Sequence, residues 1–337
     1  MKNILIFVKE LDYGGIEKQV VTLSNSLVNL YDITLVFFNV DSVSPIYNVS
    51  KKIKTIALGK NSRLFSIKNN FSNKMKNILQ NSVDIIISTD ELFNKDIIRF
   101  SDTKSKKIFW CHNEIKNIKL LNYFDRLIFP TETLYEKDLN FKCDVSIIPN
   151  ALDSIPPTIA SGKDRLITVG KLTKVKALDD LIDVFLLVKN KKENIQLIII
   201  GGGEERFYLE KIIKEKGLEE SISFLGVLEK DKIIEELANS SIFVMTSKKE
   251  TFGLSIIEAM SIGLPCVALD DNKQLKNIIK NDINGYLIKD RDKVQMAKKI
   301  IDILEDENLR SNLSNCAKET SLIYDIKSVK SEWLKLL

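Results

Sequence analysis

The sequence predicts an α/β protein made of two doubly wound, Rossmann-like parallel domains facing each other across a cleft. Three observations carry that expectation. Short apolar runs rich in β-branched residues alternate with longer segments of helical period. The chain has 337 residues, about twice the usual ~150-residue domain. Three of its six prolines, Pro149, Pro156 and Pro157, fall within nine residues, as in an interdomain linker.

In the first half the expected strands are Ile4 to Val8, Ile33 to Phe38, Asp84 to Ser88, Lys107 to Cys111, Arg126 to Phe129 and Val145 to Ile148. The second half repeats the rhythm with Leu166 to Val169, Gln196 to Ile200, Ile222 to Phe224, Ile242 to Met245 and Cys266 to Leu269. No short solenoid repeat interrupts it. The domain boundaries that follow are 1–152 and 153–324, with a closing helix at about 325–337 packing back onto the first domain.

With 44% hydrophobic and 28% charged residues, the chain can bury a sizeable core and is not disordered. Fifty basic against forty-six acidic residues leaves +4, too mild a balance for a nucleic-acid partner. No apolar run approaches the ~18 to 20 residues that span a bilayer, and no signal-peptide layout opens the chain. The expected location is the cytoplasm, at the inner face of the plasma membrane if the basic segment described next meets lipid.

Charge is divided unevenly. Residues 1–152 carry 21 basic and 16 acidic side chains, whereas the remainder carries 29 and 30. Residues 50–83 hold eight basic residues (Lys51, Lys52, Lys54, Lys60, Arg63, Lys68, Lys74 and Lys76) and no acidic one. Leu64, Ile67, Phe71, Met75, Ile78 and Leu79 run along the same stretch at mostly helical spacing. Two readings stand: a basic amphipathic helix lying on an anionic membrane, or a core-facing stripe beneath a solvated lysine face.

The four cysteines, Cys111, Cys143, Cys266 and Cys316, form no CxxC pair, and the chain has one histidine. A zinc site built from His and Cys is not expected, and any imidazole chemistry must use His112. That residue follows the strand ending Trp110-Cys111, on the side where open α/β sheets bind ligands, and is either a site residue or a structural histidine. Gly14-Gly15-Ile16-Glu17 lies between the first strand and a helix with Ile16, Val20, Leu23 and Leu27 on one face. Paired glycines there either relieve sterics or let backbone N–H groups approach a phosphate.

Two nucleotide signatures are excluded. Gly201-Gly202-Gly203 needs a glycine at 206 for the dinucleotide fingerprint and has Arg206. No Gly-Lys pair is followed by Ser or Thr, so there is no P-loop. In the second half, Gly170-Lys171-Leu172 ends a strand and places Lys171 and Lys176 five residues apart. Such a pair either holds a diphosphate or decorates a solvated loop. Glu250 and Glu258 flank Phe252-Gly253-Leu254, which either opens a helix that offers backbone N–H groups to an anion or is a plain helix start with two surface carboxylates. Asp290-Arg291-Asp292 spells a metal-binding DxD, but it precedes a surface helix and reads as a helix start.

Together, GGxE, the His after a mid-domain strand, Gly170-Lys171-Leu172 with Lys176, Glu250 with Glu258, and Glu258-Ala-Met-Ser-Ile-Gly-Leu-Pro265 resemble the large retaining glycosyltransferase family numbered four. The resemblance runs from Gly14 to Gly285 and implies the glycosyltransferase B-type fold. It implies that the backbone at Gly15 approaches the donor diphosphate, that His112 sits at the donor sugar, and that Lys171 and Lys176 hold the diphosphate. Glu250 would bind donor-sugar hydroxyls and Glu258 the ribose. Gly14, Gly170, Gly201, Gly203, Phe252, Gly253 and Leu254 complete the expected donor-binding set, with His112, Lys171, Lys176 and Glu250 as the catalytic set. Lys171 stands where the family usually has Arg, keeping charge but losing the bidentate fork. Asp270-Asp271-Asn272-Lys273 replaces the usual Gly-rich turn and Glu.

The implied activity is that of a metal-independent, retaining hexosyltransferase using a nucleotide sugar, a UDP-sugar in preference, with no cofactor. The implied acceptor is a glycan or lipid-linked glycan of bacterial surface polysaccharide or glycoconjugate assembly. One alternative is a catalytically inactive homologue serving a partner transferase, which would more often have lost one of His112, Lys171, Lys176, Glu250 and Glu258. An oxidoreductase or epimerase would carry the dinucleotide fingerprint that is missing.

Overall fold

The structure is a computed structural model and describes all residues except 12–13, 39–47, 60–64, 114, 136–140, 163 and 271–272; side chains of 65–70 and 273 are also outside the description. The chain divides into two compact units: Met1–Asp153 with Ile326–Leu337, and Ser154–Asp325.

The first unit contains β1 (Asn3–Phe7), α1 (Gly15–Leu27), β2 (Asp32–Phe37), β3 (Lys54–Ala57), α2 (Phe65–Leu79), β4 (Ile85–Ser88), α3 (Asn94–Phe100), β5 (Lys106–Trp110), α4 (Ile118–Leu121), β6 (Arg126–Phe129) and β7 (Asp144–Ile147). Its sheet is parallel throughout, in the order β3-β2-β1-β4-β5-β6-β7. Strand alternation sorts the side chains of β1: Ile4 and Ile6 pack on one face of the sheet, Leu5 and Phe7 on the other. Both faces are covered, α1 contributing Val20, Leu23 and Leu27 to the first and α2 contributing Met75 and Leu79 to the second. A sheet buried on two sides accounts for near-continuous apolar strands such as Ile85-Ile86-Ile87.

The second unit contains β8 (Arg165–Val169), α5 (Leu178–Lys189), β9 (Gln196–Ile200), α6 (Arg206–Glu215), β10 (Ile222–Gly226), α7 (Lys230–Ala238), β11 (Ile242–Met245), α8 (Leu254–Ser261), β12 (Cys266–Leu269), β13 (Gly285–Ile288), α9 (Lys293–Glu305) and α10 (Glu307–Leu322). Its parallel sheet runs β10-β9-β8-β11-β12-β13. Strand order reverses direction between β8 and β11, which pair through Leu166 with Ile242 and Ile167 with Phe243. That reversal is the topological switch point, where open α/β sheets hold ligands at the carboxyl ends of their strands.

The chain re-enters the first unit through α11 (Ile326–Leu334). Ile326 N–H donates to Leu152 O (2.9 Å), and Val329 and Trp333 join the core face that holds α1. Where the first unit ends, Gln19 on α1 grips Ala151 twice, Nε2 donating to its carbonyl (2.8 Å) and Oε1 accepting from its N–H (2.6 Å).

The strands expected from sequence are present, and two more join them. β3 and β13 are four-residue edge strands; two of the four β3 residues are exposed, so no apolar run marks it. The apolar stripe through the basic segment resolves toward the core: Phe71, Met75, Ile78 and Leu79 pack beneath α2. Leu64, Lys60 and Arg63 lie outside the described residues, as do the side chains of Ile67 and Lys68. Lys51, Lys52, Lys54, Lys74 and Lys76 are exposed.

Candidate active site

In the second unit the loops after β8 and β11, the two strands flanking the switch point, are bonded to each other. Lys248 N–H donates to Val175 O (2.8 Å), and the Thr246 hydroxyl donates to the carbonyls of Ala177 (2.8 Å) and Lys176 (3.2 Å). Lys176 sits at the end of a single 3₁₀ turn, Lys174–Lys176, and is followed by Ala177 at φ 45°, ψ 49°. A non-glycine residue in the left-handed region is strained by about 1 to 3 kcal/mol and persists only where its surroundings hold it; Thr246 does so here. Lys176 Nζ donates to Glu250 Oε1. With side-chain exposures of 25% and 13%, this pair is screened less than a surface ion pair.

Gly170, Lys171, Lys176, Met245, Thr246 and Ser247 line a small hollow at these strand ends. Lys171 is exposed. Two basic groups at one rim suit a diphosphate, whose charge they would stabilise most as it grows.

Gly201 and Gly203 have a packing reason of their own. A Cβ at Gly201, whose φ is 138°, would lie 1.9 Å from Gly170 O, and one at Gly203 would lie 2.3 Å from Leu172 O. These glycines let the loop after β9 close on the loop after β8, an approach reinforced by Leu172 N–H to Gly202 O (2.9 Å) and Glu205 N–H to Leu172 O (3.0 Å).

Helix α8 opens at Gly253, whose φ of 98° only glycine adopts readily and whose place offers no side-chain cap. Leu254 is its first residue and Glu258, half-buried, lies one turn in. Phe252 contributes only backbone to this loop, because its ring is 3% exposed and packs edge-on to Tyr324 at 5.7 Å.

In the first unit, Gly14 is the N-cap of α1 and Gly15 its first residue. The Glu17 carboxylate folds over Gly14, where a Cβ would meet its Oε2 at 2.0 Å. His112 lies two residues beyond β5 and is 4% exposed. Its Nε2 is buried without a hydrogen-bond partner among the described residues, an arrangement rare in folded proteins. Burial pushes its pKa down to about 3, so the imidazole is neutral across the ordinary pH range.

Sequence reasoning missed Thr246 and Arg291. Arg291 donates from Nη2 to Asp180 at the start of α5 and to Thr246 O (3.0 Å), so it braces the residue that braces Lys176. It stands beside Asp290, both at positive φ, in the segment that spells DxD. Asp292 caps α9, accepting from Gln295 N–H at 2.9 Å. Burial pushes the Asp180 carboxyl up, but hydrogen bonds from Lys293 and Arg291 outweigh it and hold the group below the usual carboxylate range. Thr246 does have a sequence signal, since it directly follows a predicted strand; Arg291 has none. Among the described residues, no group of three or more His, Cys, Asp or Glu is placed to hold a metal ion, and no helix is long and apolar enough to cross a membrane.

Residues 153–320 match the family described as Glycosyl transferases group 1. The whole chain aligns with the amylovoran biosynthesis glycosyltransferase AmsD of Erwinia amylovora at 27% identity, covering all of both proteins. It aligns at 25% identity with a Campylobacter jejuni alpha-1,4-N-acetyl-D-galactosaminyltransferase named for a diNAcBac-PP-undecaprenol substrate, covering 100% of this chain and 98% of that protein. In fold it is similar to Anabaena HepE, solved with UDP and glucose, at TM-score 0.85 and 16% identity over 100% of this chain and 99% of that one.

Proposed function

Because the chain belongs to the group 1 glycosyl transferases, family four, with the glycosyltransferase B-type fold, we propose that it moves a hexose or N-acetylhexosamine from a UDP-sugar to an acceptor hydroxyl with retention of configuration. The acceptor is a growing glycan of bacterial surface polysaccharide or glycoconjugate assembly, in keeping with the names of AmsD and the Campylobacter transferase. The observation that carries the reading is the Lys176–Glu250 pair at the switch-point hollow, which Lys171 also lines.

In this reading Lys171 and Lys176 hold the donor diphosphate, and Glu250 takes hydroxyls of the donor sugar. The uncapped start of α8 offers N–H groups to the same anion, and Glu258 takes the ribose. By the family resemblance, His112 and the backbone at Gly15 are also assigned to the donor. The anomeric carbon–phosphate oxygen bond breaks as the acceptor oxygen bonds to the same face of that carbon, and the acceptor proton passes to the departing phosphate. Stabilising the charge on that phosphate is the work of the two lysines.

The exposed lysines of residues 50–83 attract the protein by charge alone to an anionic membrane surface that bears a lipid-carried acceptor, since the described apolar side chains of α2 are committed to the core. Thermal shift with UDP-sugars against GDP- and ADP-sugars tests the donor. A nucleotide at about 100 times its dissociation constant adds about 2.7 kcal/mol of stability. Stabilisation by a GDP- or ADP-sugar alone would overturn the base assignment, and stabilisation by none would overturn the donor site.

A further inference from the structure

The chain contains two tryptophans, Trp110 and Trp333, and one histidine, and the three rings form a stack. Trp333, on the helix that returns to the first unit, meets Trp110 edge-on at 4.8 Å between centroids and an interplanar angle of 69°. Trp110 in turn lies 4.5 Å from the His112 ring at 47°. Both tryptophans are essentially inaccessible, at 1% and 0% exposure. Strand alternation puts Ile108 and Trp110 on the face that α11 covers, and the ring contact brings His112, two residues past the strand, beside Trp110.

His112 Nε2 and Trp110 Nε1 are both buried without hydrogen-bond partners among the described residues. No hydrogen bond therefore fixes that edge of the imidazole, and ring packing is left to hold it. Offset and edge-on aromatic contacts favour particular tilts over others, so a ring backed by another ring is held in angle as well as in place. An aliphatic side chain of similar size would fill the volume without selecting the tilt.

We propose that Trp333 is a positioning residue for His112: through Trp110 it sets the orientation of the imidazole that serves the donor sugar, so the last turn of the chain is part of the first unit's reactive apparatus. This rests on the assignment of His112 under the proposed function. It gives the C-terminal helix a task beyond closing the core, and it makes Trp333 unequal to Val329, its neighbour on the same buried face.

The test uses the full-length, untagged protein, in which His112 supplies the one imidazole resonance. Trp333→Leu, Trp333→Phe, Val329→Ala and His112→Ala are compared with wild type. Turnover is read as UDP released on hydrolysis of UDP-glucose or UDP-N-acetylglucosamine, whichever stabilises the protein in thermal shift, with water taking the sugar in place of the acceptor, and the Cε1–H resonance of His112 is recorded for each variant that keeps it. Trp333→Leu should lower kcat roughly tenfold, less than the ~10²-fold that a full 1 Å misplacement of a reacting group can cost, with donor KM changed less than about twofold. Its His112 resonance should move, whereas Trp333→Phe, which keeps a ring, should restore both readouts. Val329→Ala weakens the docking of α11 without touching the stack, so it should lower the melting temperature and leave both readouts alone. The proposal is overturned if Trp333→Leu leaves either kcat or the resonance unchanged, or if Val329→Ala matches it on both. If His112→Ala turns over like wild type, the assignment of His112 itself falls. If His112→Ala is inactive while Trp333→Leu is normal, only the role of Trp333 falls.

Discussion

Lys176 Nζ donates to Glu250 Oε1, so the cation assigned to the donor diphosphate and the carboxylate assigned to the donor sugar are members of one ion pair. The sequence holds them seventy-four residues apart. Loops after two strands adjacent across the switch point bring them together. Substituting one therefore perturbs the other.

Lys176→Ala removes the stabilising cation and leaves the Glu250 carboxylate without it beside the diphosphate position. Turnover should fall by ~10²-fold or more, the range seen for a lost electrostatic stabiliser, while the melting temperature changes little. Because the two side chains are paired, the double variant Lys176→Ala/Glu250→Gln should be less damaged than the product of the single effects, with a coupling of about 1 kcal/mol. Additive effects would mean that the pair does not act as a unit.

Glu258→Gln should chiefly weaken binding of free UDP, since it would deprive the ribose of a charged acceptor. Glu250→Gln should leave free UDP comparatively untouched and weaken the UDP-sugar instead. Calorimetry with UDP and the UDP-sugar separates the two. Equal losses for UDP alone would show that the roles are misassigned.

His112 gives a pH signature. Its folded pKa of about 3 lies below the unfolded value of about 6.5. Between those values the unfolded chain binds a proton that the folded chain does not, so stability falls as pH drops below about 6.5, by up to about 1.4 kcal/mol per pH unit. Urea unfolding of wild type and His112→Gln at pH 7.5, 6.5 and 5.5 isolates this contribution. The stability difference between them should shift against wild type as the medium is acidified. A difference independent of pH would contradict a neutral buried imidazole.

Activity should survive excess EDTA. Asp292 is occupied in capping α9 and Arg291 in bracing Asp180 and Thr246, so the DxD segment has structural tasks. Complete loss of turnover that magnesium restores would overturn the metal-free reading.

Attachment to anionic vesicles should be electrostatic and salt-sensitive. Each lysine near such a surface contributes about 1 kcal/mol, and the attraction falls off within a Debye length of ~8 Å at physiological ionic strength. Replacing the exposed Lys51, Lys54 and Lys76 by Gln should reduce co-sedimentation with anionic vesicles and not with neutral ones. Equal binding of wild type to both kinds of vesicle would locate the acceptor in solution.

Periodicity alone determined the two doubly wound sheets, because strands buried on both faces must be continuously apolar and amphipathic helices must alternate with them. It also placed His112, Lys171, Lys176, Glu250 and Glu258 at strand ends or helix starts, where free backbone groups and ligands meet. It was silent where short edge strands lack an apolar signature, as in β3, and it left the stripe along α2 undecided until Phe71, Met75, Ile78 and Leu79 were seen against the core. What only the tertiary structure decided are the relations across long sequence separations: Lys176 with Glu250, Arg291 with Thr246, Gln19 with Ala151 and Trp333 with Trp110. The physical reason is that periodicity reports which face of an element is buried. Which residues meet there is set by strand order, register and the return of the last helix, and no local pattern encodes those.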